Sequence, residues 1–173
     1  MSVLKTLLVA AGYARKHDDA VSISFIQRAM ELNPSDSSSH YSLAELMERE
    51  GHPSEATSEW RTALQLDGNQ QLVSLFDKAL RDSGFHAAKQ AVSQALLQRM
   101  ATRAKTSYVS PLGFVELYLQ IGDKENALRY LDTAFAEHSS FLVQIAHDPR
   151  YDILSADPRF RAMLRRMKTP GAI

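Results

Sequence analysis

A chain of 173 residues that is 45% hydrophobic and 23% charged can bury a core, so its composition excludes a disordered or collagen-like protein. Lysine and arginine together number 20, as do aspartate and glutamate, and this balance argues against dedicated nucleic-acid binding, which normally needs a basic excess. The chain has no cysteine, which excludes disulfides, a thiolate nucleophile and cysteine-bearing zinc sites.

The first predicted element is a helix in which Lys5 precedes the apolar run 6–11. A charge followed by an apolar run also fits a weak signal-peptide core, and this alternative stays open. The run is short, however, and continues directly into Tyr13 and two basic residues. No stretch approaches the ~20 apolar residues that cross a bilayer, so we expect a cytoplasmic protein without a membrane partner.

Small and apolar side chains recur with a period of 34 residues. Six pairs of comparable residues carry the pattern: Ala10 and Ala44, Ser22 and Ala56, Ala29 and Ala63, Met30 and Leu64, Leu32 and Leu66, Pro34 and Gly68. Small residues at fixed places let two antiparallel helices approach closely, and larger neighbours fill the remaining space. In the second copy, Gly51 ends a first helix, Pro53 suits the start of the next, and Ala56, Trp60 and Ala63 line its buried face.

This pattern resembles the tetratricopeptide repeat, whose period is 34 residues. The resemblance implies an all-α fold, specifically a right-handed α-α superhelix (a solenoid) with a C-terminal capping helix. It also implies one domain over 1–173, with repeats over about 3–36, 37–68, 69–105 and 108–138 and a cap over about 139–168. The third repeat is degenerate, and its second helix is predicted to run from Phe85 towards Lys105 before a break at 107–110.

In the fourth repeat, Ser110 and Pro111 open a helix, and Gly122 with Asp123 makes the turn to a second one. The second helix repeats the packing signature at Ala127, Leu131, Ala134 and Phe135. The apolar segment 141–146 predicts a further packed helix after the repeat ends.

Two copies of an Asp-Pro-Arg-aromatic sequence follow, at 148–151 and 157–160. Aspartate before proline is typical of an N-cap and first helical residue, which predicts a short turn near 149–154 and a last helix from about 158 to 168. That helix has an apolar stripe at Phe160, Met163, Leu164 and Met167, with Arg161, Arg165, Arg166 and Lys168 facing water.

The order of these motifs from about 84 to 168 is similar to the C-terminal module of certain bacterial multidomain regulators. The similarity implies a bacterial protein. In those regulators the repeats follow a winged-helix, kinase or cyclase domain, and no residues here match such domains. Their activities are therefore not carried over.

The sequence contains almost no motif typical of a catalytic or metal-binding site. The six histidines lack the i, i+4 spacing of a helical zinc site and are interpreted as solvated or capping residues. Asp148 and Asp157 are candidates for an acid–base pair of carboxylates, but their position before proline favours N-caps. The serine-rich segment 35–39 contains either phosphorylation targets or helix caps, and the helix that starts after Pro34 favours caps. Trp60 lines either a ligand-binding pocket or the core, and its position facing the first helix of its own repeat favours the core. We expect no enzyme activity, no metal and no cofactor.

The resemblance also implies a concave groove lined by the first helix of each repeat. Transferred to this chain, the groove positions are Leu7, Ala11, Arg15, Tyr41, Glu45, Arg49, Lys78, Arg81, Leu112, Glu116 and Leu119. Any one of them is equally consistent with an ordinary solvated face. The lysines and asparagines with which some family members hold a chaperone's C-terminal carboxylate are replaced here by Leu7, Ala11 and Ser42.

The sequence therefore predicts a non-enzymatic protein–protein interaction scaffold that binds a peptide or helix in this groove. The alternative is a regulatory sensor or oligomerisation domain that binds a small ligand or self-associates as a homo-oligomer to control an output domain on another chain.

Overall fold

The computed structural model describes residues 2–137, Ile145 and residues 148–167, and these form an all-α fold with no strand among them. The all-α prediction is confirmed. Contacts divide the chain into two compact units, Met1–Ala88 (the N-terminal unit) and Lys89–Ile173 (the C-terminal unit). The superhelix and the single domain stay predictions. Within the described ranges, no helix is both long and apolar enough to cross a membrane.

Helices of the N-terminal unit pack in consecutive pairs. Helix α1 (Val3–Ala14) packs on α2 (Asp19–Leu32), α2 on α3 (Ser37–Arg49), and α3 on α4 (Pro53–Leu66). The starts and ends follow local signals, because Asp18 and Asp36 cap α2 and α3 while Pro53 opens α4. Gly51 adopts φ +81° after α3, a left-handed conformation that side chains other than glycine's rarely tolerate.

Small side chains lie where the helices of this unit meet. Ala29, Ala44, Ala56 and Ala63 are completely buried and Ala10 is 2% exposed, which confirms that these small residues belong to the core. Ser22 lies 34 residues before Ala56, at the corresponding position of the pattern, and is buried. Its hydroxyl donates a hydrogen bond to the Ala10 carbonyl at 2.9 Å, so the buried polar group has a partner. The small residues that recur every 34 positions are therefore the ones at which helices pack closely.

An aromatic cluster contributed by α3, α4 and the first part of α5 completes the core of the N-terminal unit. Trp60 stacks on Phe76 with ring centroids 6.0 Å apart, and Tyr41 meets Trp60 edge-on at 5.1 Å. Trp60 is only 4% exposed, so its interpretation as a core residue is confirmed. Leu32 and Leu66 differ from their neighbours in the repeat, because they end α2 and α4 and remain 42% and 37% exposed.

Helix α5 (Gln70–Arg103) is interrupted by a kink at Gly84. Gly84 inside it has the non-helical angles φ 83° and ψ −178°, and helix resumes until Arg103, so the long second helix is confirmed. In the part of α5 that follows Gly84, Ser93 donates to the side chain of Gln120 in the next helix at 2.7 Å.

The C-terminal unit contains α6 (Pro111–Gln120), α7 (Lys124–Ala136), the 3-10 helix Pro149–Leu154 and α8 (Pro158–Arg166). The turn near 149–154 and the last helix are thus confirmed. Their core cluster consists of Val115, Ala127, Leu128, Leu131, Ala134, Ile145, Tyr151, Leu154, Phe160, Met163 and Leu164. The rest of the predicted helix over 141–146 lies outside the described residues, as does Lys168.

Candidate functional site

Helix α1 is apolar on two sides. Thr6 and Ala10 face the core at 0% and 2% exposure, whereas Leu4 and Leu8 are 68% and 48% exposed. Leu4, Leu8 and Ala11 follow i, i+4, i+7 spacing and so share one side of the helix, which we call the α1 leucine face. A helix that is apolar beyond its core-facing stripe has surface left for a second partner.

Two of the predicted groove residues border this face and one lies within it. Ala11 is exposed and belongs to the leucine face. Leu7 is partly buried against the cluster formed by Ala10, Ile26, Leu43 and Leu46, so part of its side chain serves the core. Arg15 is the C-cap residue of α1, and its side chain lies alongside Gly12.

The α3 residues of the predicted groove are engaged within the N-terminal unit. The guanidinium of Arg49 forms a two-point ion pair with Asp19, with Nε donating to Oδ2 at 2.9 Å, and so joins the end of α3 to the start of α2. Burial raises the pKa of Asp19, but the hydrogen bonds and charge of Arg49 outweigh it and hold that pKa below its ordinary value. Glu45 is partly buried on the same helix.

Tyr41 makes two contacts, one through its ring with Trp60 and one through its hydroxyl with Asp67. The hydroxyl donates to the carboxylate of Asp67, the residue after α4, at 2.9 Å. Burial and the neighbouring Asp67 both raise the pKa of Tyr41 above its ordinary value, so it remains a neutral donor. Its contacts connect α3 with α4, which is a packing role that the sequence pattern did not predict.

The remaining predicted positions fall into two groups. Lys78 and Arg81 are exposed on the first part of α5. In the C-terminal unit, Leu112 and Leu119 of α6 are partly buried against the core cluster, and Glu116 lies 3.4 Å from Arg150 of the 3-10 helix. The groove role of all eleven residues stays a prediction.

His40 corrects the interpretation of the histidines as solvated or capping residues. Its side chain is 11% exposed, and its Nδ1 lies 2.6 Å from Oε2 of Glu59 on α4. The first turn of α3 packs on α4, and Glu59 supplies the polar partner without which burying an imidazole would be costly. His138 and His147 lie outside the described residues.

The two Asp-Pro-Arg sequences form matching turns in the C-terminal unit. Asp148 accepts from the backbone of Arg150, and Asp157 from that of Arg159, which confirms both as N-caps. Each arginine also reaches a glutamate 34 residues earlier, Arg150 to Glu116 and Arg159 to Glu125. The hydrogen bonds from Arg159 lower the pKa of Asp157, which is the opposite of what a general acid needs.

Leu4 and Leu8 are the functional candidates that the groove pattern missed. Their i, i+4 spacing, continued by Ala11, was the signal that would have found them. No cluster of potential metal ligands occurs within the described part of the chain. Comparison with protein-family models, with curated proteins and with solved structures gives no match.

Proposed function

We propose that the protein is a non-enzymatic interaction scaffold of the tetratricopeptide-repeat type, and that it binds an amphipathic helix of a partner protein on the α1 leucine face. The single observation that supports this is the exposure of Leu4 and Leu8, at 68% and 48%, on a helix whose opposite side buries Thr6 and Ala10. Exposed leucines are common singly, but a row of them at helical spacing is typical of a binding surface.

Charge defines the partner more closely. No acidic residue occurs in α1, and the basic residues Lys5, Arg15 and Lys16 lie at its two ends. An apolar stripe flanked by basic side chains is complementary to an amphipathic helix with acidic flanks. We therefore propose a partner helix with leucine-like residues on one side and aspartate or glutamate beside them.

Leucine burial supplies the expected size of the effect. Covering a fully exposed leucine side chain contributes about 1.5–3 kcal/mol. Since Leu4 and Leu8 are 68% and 48% exposed, covering both contributes about 2–3.5 kcal/mol, and losing it should weaken binding at least about tenfold. The double variant L4S/L8S removes this contribution. The matched control is L32S/L66S, which alters two leucines that are also exposed but end α2 and α4.

The experiment is affinity capture from lysate with the wild-type chain and both variants, followed by mass spectrometry. We expect at least one protein with an acidic amphipathic helix to be retained by wild type and L32S/L66S and lost with L4S/L8S. Circular dichroism checks that all three chains are equally helical. Identical capture by all three would remove the leucine face as the binding surface.

The alternative, a sensor or oligomerisation domain, makes a different prediction for the same variants. If a second copy of the chain covers the leucine face, wild type sediments as a dimer and L4S/L8S as a monomer. A wild-type monomer leaves the partner helix as the proposed occupant.

A further inference from the structure

A cleft opens in the C-terminal unit between the end of α5 and the end of α7. Its volume is about 340 Å³, enough for a side chain or a small ligand. Ala101 and Ala104 form one wall, Phe114 and Tyr130 lie along the cleft, and Tyr108 and Glu137 stand at its edge. None of the predicted groove residues lines it.

The aromatic side chains of the cleft are fixed in place. Tyr130 stacks on Phe114 with centroids 4.4 Å apart and nearly parallel planes. Tyr108 is 72% exposed, but its hydroxyl donates to Glu137 at 2.9 Å, which holds the ring at the edge of the cleft. This hydrogen bond, with burial and the charge of Glu137, raises the pKa of Tyr108. The hydroxyl therefore stays protonated beside the carboxylate of Glu137.

Glu137 brings a carboxylate to a helix C-terminus at this place, and the last turn of α5 carries the basic Arg103. Glu137 is the C-cap residue of α7, where the helix dipole is also negative, so its carboxylate is electrostatically unfavourable for the helix. The end of α5 adds a second helix C-terminus beside Ala101 and Ala104. Among the described residues, no ion pair neutralises Glu137.

Cations already lie on the aromatic rings of α7. The guanidinium of Arg129 lies 4.7 Å from the centroid of Tyr130, and that of Arg166 lies 4.4 Å from the centroid of Phe135. Such contacts between a guanidinium and a ring face are favourable cation–π interactions. The highly exposed Tyr108 ring offers a comparable surface next to a carboxylate.

We propose that this cleft binds an ammonium group carried on an apolar stem, with the charge between Glu137 and the Tyr108 ring and the stem along Ala101, Ala104 and Phe114. A lysine side chain of a partner peptide and a free alkylamine share this chemistry. The site is independent of the α1 leucine face, and either proposal can fail without the other.

The test is an NMR titration of the full chain with 13C-labelled alanine methyl groups. The probes are n-hexylammonium, the neutral n-hexanol and N-acetyl-lysine methylamide. We expect n-hexylammonium to shift the Ala101 and Ala104 methyl signals saturably, with a Kd on the order of 1 mM. E137Q should weaken binding about fivefold, the upper range for an exposed ion pair. The matched control E55Q changes an exposed glutamate of α4 and should leave the Kd unchanged.

A second variant tests the cleft without altering its charge. A104L should fill the space of the stem and abolish the shift of Ala101, while circular dichroism confirms that the helices are intact. Equal affinity for n-hexanol, an unchanged Kd in E137Q, or no saturable shift would each overturn the proposal. Tighter binding of the lysine derivative than of n-hexylammonium identifies a peptide side chain as the source, and the reverse order identifies a free amine.

Discussion

Arginine–carboxylate pairs join helices in both compact units, but they differ in their access to water. In the N-terminal unit, the Arg49 and Asp19 side chains are 31% and 11% exposed. In the C-terminal unit, Arg159 and Glu125 are 51% and 75% exposed, although their hydrogen bonds have ordinary lengths. Water weakens the attraction between exposed charges. We therefore expect the Arg49–Asp19 pair to stabilise the fold more than the Arg159–Glu125 pair, although both have similar hydrogen-bond geometry.

The difference has a counterpart in the apolar contacts. The two Asp-Pro-Arg turns of the C-terminal unit place Tyr151 and Phe160 in its core, at 4% and 3% exposure, with their rings stacked 6.4 Å apart. We infer that burial of these rings holds the segment 148–167, and that the arginines on its surface mainly orient it.

The largest effect is therefore expected from F160A. Removing a buried phenylalanine side chain leaves a cavity and typically costs about 3–5 kcal/mol, a large part of the stability of a small domain. Urea unfolding followed by circular dichroism measures the change. The control R161A alters an exposed neighbour on α8 and should change stability little. Equal losses in the two variants would show that the ring does not hold the segment.

An intermediate effect is expected from D19N, which removes the more shielded ion pair. Loss of this charged hydrogen bond should cost about 1–2 kcal/mol at neutral pH. Because the folded-state pKa of Asp19 lies below its ordinary value, its contribution is present above the unfolded value of about 4 and is lost as pH falls through the folded pKa.

Unfolding of wild type and D19N across the acidic range measures this dependence. The stability difference between them should be constant near neutral pH and shrink below about pH 4. A difference that grows on acidification would mean that Asp19 is stabilised in its protonated form, contrary to its contact with Arg49.

The smallest effect is expected from E125Q. Its partner Arg159 keeps the capping residue Asp157 as a second carboxylate, at 3.0 Å, so the arginine does not lose all its ionic contacts. We expect the melting temperature measured by calorimetry to equal that of wild type. A clear decrease would mean that the exposed pair contributes as much as the shielded one, and the comparison between the units would no longer hold.

Local sequence signals were sufficient for much of the fold. Aspartate and proline set the starts of helices, and glycine set the breaks at positions such as Gly51, Gly84 and Gly122, because these residues act through their own backbone. The repeat of small residues also located Ala44, Ala56 and Ala63 in the core, since close helix packing demands small side chains wherever it occurs.

The candidate sites were harder to predict from sequence. The sequence pattern predicted Tyr41 and Arg49 to face a groove. In the structure, however, Tyr41 donates a hydrogen bond to Asp67 and Arg49 donates to Asp19, each far away in the sequence. The interpretation of His40 was wrong for the same reason, because a histidine in sequence carries no sign of the glutamate that will pair with it.

The sequence by itself therefore determined where helices begin and end and which small residues the core requires, because those choices depend on neighbours within a few residues. Only the tertiary structure decided which leucines remain exposed on α1, which carboxylates are shielded by arginine, and that Tyr108 and Glu137 border one cleft. The last two depend on residues about 30 positions apart coming into contact. Such contacts follow from the packing of whole helices, and no local pattern of residues encodes them.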